Sequence, residues 1–108
     1  MAKGFGGMGN LFKQAQEIQA RLAQAQEDLA RRTVEASAGG GMVRATVNGQ
    51  LAFSSIKIDP AVANPQEIEM LEDLVLAAVN EGLRLAREMA AEEMSKITGG
   101  LKIPGLTP

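Results

Sequence analysis

Two pairs of adjacent carboxylates, Glu72-Asp73 and Glu92-Glu93, are the side chains best able to move protons near neutral pH in this sequence of 108 residues, which has no His and no Cys. General acid–base chemistry needs such groups to converge on one reacting atom. Neighbours along a helix instead point about 100° apart, so both pairs read as a solvated face. The lack of imidazole and thiolate also removes thiol nucleophiles, disulfides and nearly all transition-metal sites. The expectation is a protein with no catalytic residue, no cofactor and no metal ligand.

Phosphate contact is the other chemistry the residue types allow. Gly4, Gly6, Gly7 and Gly9 crowd together as in a phosphate-binding loop. No strand precedes them and no Lys-Ser/Thr end follows, so residues 1–9 are expected to be a flexible tail. Net charge is −2, but residues 1–58 hold seven basic and four acidic side chains, a net of +3, whereas 59–108 hold four and nine, a net of −5. The basic front half includes Lys13, Arg21, Arg31, Arg32, Arg44 and Lys57. Pairing two chains would double these charges and could align them for phosphate contact. With three Phe and no Trp or Tyr, there is little aromatic surface on which single-stranded bases could stack. No apolar run reaches the roughly 20 residues of a membrane span, and the lack of Cys fits a cytoplasmic address.

Those side chains must be carried by regular elements. Leu11, Ala15, Ile18, Leu22, Ala25 and Leu29 recur at alternating steps of four and three, a heptad seam of nearly three repeats. A helix over 10–32, with Asn10 placed to cap it, would be about 34 Å long. That exceeds the body of so small a domain, so the helix should project or find a partner helix. Thr33 to Ala38 and Met42 to Val47 read as strands around the Gly39–Gly41 turn. Asn48-Gly49 predicts a two-residue type I′ hairpin, and Leu51 to Ile58 a third strand. Its apolar parity slips at Ser54-Ser55, which predicts a bulge there.

A second helix is expected to open at Asn64-Pro65 and stop at Gly99-Gly100. It carries two apolar stripes, Leu71, Val75, Ala78, Gly82, Leu85 and Met89 on one, Leu76, Val79, Leu83, Ala86 and Ala90 on the other. Together they span about 200°, against the roughly 100° of an ordinary surface helix. One face can pack on the sheet and the other needs a second subunit. The expected architecture is α+β: a long N-terminal helix, a three-stranded antiparallel meander and a long C-terminal helix, in a homodimer. The single domain spans 10–98, followed by a flexible tail over 99–108. Either helix could form the dimer seam, the first by its cleaner heptad and the second by its wider apolar arc; the first stripe of the second helix is assigned to the interface.

The order of these pieces resembles the YbaB/EbfC family of nucleoid-associated proteins. The residues that carry the resemblance are Gly9 to Gln16, Val47-Asn48-Gly49, Ile58-Asp59-Pro60, Met70 to Val75, Ala77 to Asn80, Gly99-Gly100-Leu101 and Ile103-Pro104-Gly105. It implies a non-enzymatic homodimer with protruding helices that binds double-stranded DNA, sits in the nucleoid and influences gene expression. Lys13 is the DNA-contact residue within a matching segment. Arg21, Arg31 and Arg32 join it by their place on the projecting helix. Ser54 and Ser55 stand where familiar members carry basic residues, which directs the expected contact to the first helix and away from the sheet. The alternative is a dimeric interaction module whose acidic second helix, with Glu88, Glu92 and Glu93, binds a replication or recombination protein.

Overall fold

A computed structural model describes residues 2–99 of the chain. Helix α1 (Ala2–Arg31) leads into strands β1 (Thr33–Ala38), β2 (Val43–Asn48) and β3 (Phe53–Ile58). Two 3-10 turns, Pro60–Val62 and Pro65–Glu67, then precede helix α2 (Ile68–Gly99). The α+β order is the one expected, and the three strands form one antiparallel meander in the order β1-β2-β3.

Helix α1 begins eight residues earlier than Asn10, so Asn10 lies inside the helix and does not cap it. Once a helix is nucleated, each further residue adds a hydrogen bond for one residue ordered, which lets it run back through glycines. Each of those glycines still costs about 1 kcal/mol relative to Ala. The tail expected over 99–108 lies, apart from Gly99, outside the described residues. Ahead of α2, Asn64 caps the 3-10 turn Pro65–Glu67: its side chain accepts from the backbone N–H groups of Gln66 and Glu67, both at 3.0 Å.

Val43, Ala45 and Val47 of β2 are fully buried and form the centre of the sheet's inner face. Their cross-strand partners on β3 are Ile58, Ile56 and Phe53, and the register shifts between Thr46 and Val47, leaving Ser54 as the extra residue. This is the expected bulge, and it returns Phe53, Ile56 and Ile58 to a single face despite their mixed parity.

The Asn48-Gly49 turn differs from a type I′ hairpin. The one non-glycine residue with positive φ among those described is Leu51, at 65°. Asn48 Oδ1 accepts from the N–H groups of Gln50 (2.9 Å) and Ala52 (3.0 Å), and the Leu51 N–H bonds back to the Asn48 carbonyl. The longer turn docks against the end of α1. Gly49 N–H donates to the carbonyls of Leu29 (2.8 Å) and Arg32 (3.2 Å), Asn48 Nδ2 to Ala30, and Gln50 Nε2 to Gln26. The carbonyls a helix leaves without partners at its C-terminus are thereby satisfied by a hairpin about twenty residues away.

Helix α2 lies across β1 and β2. Leu71, Leu74 and Val75 pack against the cluster of Val43, Ala45 and Ala78. Gly82 is buried against the sheet, where a Cβ would sit in van der Waals contact with Phe53 and Val47 at 3.4 Å. The stripe assigned to the dimer is therefore occupied within the protomer: Leu71, Val75, Ala78 and Gly82 face the chain's own sheet, Met89 is buried and Leu85 half-buried. An apolar arc wider than one contact needs can turn either edge inward, and here the edge with Ala78 and Gly82 admits the closer approach to β2. The adjoining edge keeps Leu76 60% exposed. On the same inner layer, Ile56 and Ile58 remain exposed beside the covered strands.

Candidate nucleic-acid interface

The heptad seam of α1 is divided in two. Ala25 and Leu29 are buried, and with Ile97 of α2 they close the base of the helix pair. Upstream, Leu22 is partly open and Leu11 is 67% exposed. The last described turns of α2 meet α1 near Arg21 and Ala25, around an open cleft of about 280 Å³. About nineteen residues of α1 thus extend past this junction, roughly 28 Å of helix. The molecule is accordingly 79 Å long, with a radius of gyration of 21.3 Å, against about 13 Å for a compact chain of 100 residues.

Of the four expected DNA-contact residues, Lys13 lies on this arm, Arg21 at the junction, and Arg31 and Arg32 at the other end of the helix, where it meets β1. At 100° per residue, Lys13 and Arg31 share an azimuth on the side turned from the apolar seam, and Arg21 lies about 80° away, on the flank of the seam. Lys13 and Arg21 are exposed and take part in no ion pair among the described residues. Arg31 reaches Asp28 Oδ1 at 3.1 Å in an exposed pair, a contact that water and salt weaken readily. Arg32 is held differently: its guanidinium donates to Glu93 Oε1 at 2.7 Å, and Lys96 Nζ donates to the same oxygen at 3.0 Å. The structure thus sets Lys13 on the arm, Arg21 at the junction and Arg31 at the C-terminal end of α1, and ties Arg32 to α2.

Glu93 is the residue sequence reasoning did not single out for this role. Its partner Arg32 lies 61 positions away, and no local pattern announces such a contact. The hydrogen bond from Lys96, then the positive charges of Lys96 and Arg32, hold the Glu93 carboxyl below its ordinary value against an opposing effect of desolvation. Further along α2, Arg84 bonds both Glu81 and Glu88, and its hydrogen bond chiefly lowers the Glu81 pKa. On the outer face of the sheet, Arg44 stands directly across from Lys57, with Glu35 3.9 Å from Arg44. Among the described residues no cluster of three or more potential metal-binding side chains occurs, and no helix is long and apolar enough to cross a membrane.

Residues 4–101 match the YbaB/EbfC DNA-binding family. The chain belongs to that family. YbaB/EbfC relatives similar to it include a nucleoid-associated protein of Thermoanaerobacter sp. (strain X514), 56% identical, with 98% of this chain and 99% of the relative covered. A nucleoid-associated protein of Syntrophobacter fumaroxidans is 55% identical, with 98% and 93% covered. The fold of this YbaB/EbfC member is also that of an uncharacterized protein from Helicobacter pylori. That crystal structure superposes with a TM-score of 0.72 at 20% identity, covering 87% of this chain and 96% of the other.

Proposed function

We propose that this protein binds double-stranded DNA as a homodimer, without catalysis, and acts in the nucleoid, where it organises DNA and modulates gene expression. The observation that carries the reading is the long α1, with Lys13 on its projecting arm and Arg21 at the junction exposed and free of ion pairs among the described residues, and Arg31 at its C-terminal end in a weak exposed pair. Cations at such positions release counterions when they meet phosphates, and the contact is made to the backbone without reading sequence. Family membership and the names of the similar relatives support both the ligand and the nucleoid address. The dimer surface best supported is the open inner edge of β3, with Ile56 and Ile58, together with Leu76 on the outer flank of α2.

The acidic-face alternative has less support. Glu93 is satisfied by Arg32 and Lys96, and Glu88 by Arg84, so two of its three carboxylates are already partnered within the chain.

Titrating DNA affinity against salt tests the reading. Wild-type protein should lose affinity log-linearly, at about 0.9 per phosphate neutralised. Changing Lys13, Arg21 and Arg31 to Gln together should flatten that slope by up to about 2.7 per chain engaged. Arg32→Gln alone should flatten it less than Lys13→Gln. Salt-independent binding, or an unchanged slope in the triple variant, would remove the arm from the interface.

A further inference from the structure

We infer that the open half of the α1 seam is a second self-association surface, which takes the α1 arm of another copy and joins two DNA-bound dimers. Leu11, Ala15, Ile18 and Leu22 continue the heptad whose lower end, Ala25 and Leu29, is already buried at the base of the helix pair. A 3.5-residue period suits one kind of occupant, another α-helix whose side chains interlock with it. The flanking positions say which helix. Those bordering the open seam are Phe12, Gln14, Gln19 and Arg21, so three of the four are uncharged. No row of one charge calls for a partner of the opposite sign, and two identical arms can meet with little repulsion between like charges.

The arrangement leaves the phosphate-binding side free. Lys13 occupies the heptad position farthest from the seam, and Arg31 shares its azimuth. Arms paired through Leu11 to Leu22 would therefore present Lys13 and Arg31 outward, towards separate duplexes, with Arg21 beside the seam. A dimer closed through β3 and α2 is isologous and uses up its own surface. An arm that pairs beyond that dimer gives the assembly a second, independent contact. Fewer than two open heptads make a weak pair in isolation, but dimers gathered on DNA meet at high effective concentration. The bridging part of this inference rests on the DNA-binding reading; the arm pairing does not.

The test uses the full chain, a variant with Leu11, Ile18 and Leu22 changed to Gln, and the seam-strengthening Ala15→Leu. Sedimentation without DNA over a wide concentration range comes first. Wild-type protein should pass from dimer to tetramer or larger, the triple variant should stay a dimer of unchanged helicity, and Ala15→Leu should associate at several-fold lower concentration. Capture of a second duplex by duplex held on beads comes next: the triple variant should lose capture while keeping the wild-type salt slope for one duplex. Three results would overturn the inference. One is a wild-type dimer at all concentrations whose DNA capture the triple variant retains. Another is a triple variant that falls to monomer, which would make the seam the primary interface. The third is a triple variant less heat-stable than wild type when both are dilute dimers, which would mean that the chain's own residues cover the seam. Absence of DNA binding by wild-type protein would overturn the DNA reading and the bridging, and sedimentation would still decide the pairing.

Discussion

At Gly49 the backbone N–H serves two carbonyls at the end of α1, and a Cβ built on its Cα would lie 2.6 Å from Leu29 Cδ2, 2.8 Å from its Cβ and 3.0 Å from its carbonyl oxygen. Two of those atoms belong to or sit beside the backbone and cannot swing aside. Gly49→Ala should therefore lower stability by about 1–3 kcal/mol, the usual cost of overpacking a tight contact, read as a fall in the urea midpoint with an unchanged slope. A loss below about 0.5 kcal/mol would mean that the hairpin lifts off the helix easily. The sequence dipeptide Asn48-Gly49 correctly announced a reversal of the chain. The reason for the glycine was different, because the close neighbour of Gly49 is Leu29, twenty positions earlier, and no turn rule contains it.

At the scale of the elements, the α1–α2 junction combines apolar closure by Ala25, Leu29 and Ile97 with the Arg32–Glu93–Lys96 group. Because the Glu93 pKa is lowered in the folded protein, the folded state binds its proton less readily than the unfolded chain does. The stability it contributes is fully present above the unfolded value of 4.5 and is lost as pH falls through the lower folded value. Urea midpoints of wild type and Glu93→Gln should thus differ at pH 7, in favour of wild type, and converge as pH falls below 4.5 and through the lower folded value. A gap that persists in acid would assign the effect of Glu93 to packing. The strands and the bulge at Ser54 were legible in advance, because each depends on residues within a few positions of one another; Asn64-Pro65 opens a 3-10 turn, and α2 itself starts three residues after Pro65, at Ile68. The backward extension of α1 through its glycines was not legible, since local propensity opposes it.

For the whole molecule, the decisive feature is what one chain leaves uncovered. α2 crosses β1 and β2 and reaches β3 at Phe53, which leaves Ile56 (45% exposed), Ile58 (40%) and Leu76 (60%) open. Apolar groups of this size tend to be covered by a partner when they form one surface. If the proposed dimer closes here, Ile56→Lys combined with Leu76→Lys should yield a monomer in sedimentation at micromolar concentration, with helix content retained because neither residue belongs to the buried core. A variant that stays dimeric would place the subunit contact elsewhere.

By itself the sequence determined the class of protein: the elements in order, an aliphatic core, a basic front half and a family resemblance that the comparison with relatives bore out. These follow from periodicity, turn chemistry and composition, which act over a few residues or over the chain as a whole. The tertiary structure decided which edge of α2 turned inward, so that Ala78 and Gly82 met the sheet and Leu76 was left outside. It also decided which cations stayed available, drawing Arg32 onto Glu93 while Lys13 and Arg21 remained clear. Both outcomes depend on contacts between residues tens of positions apart, where close packing and ion pairing select one arrangement among several that the same pattern of apolar and charged residues permits.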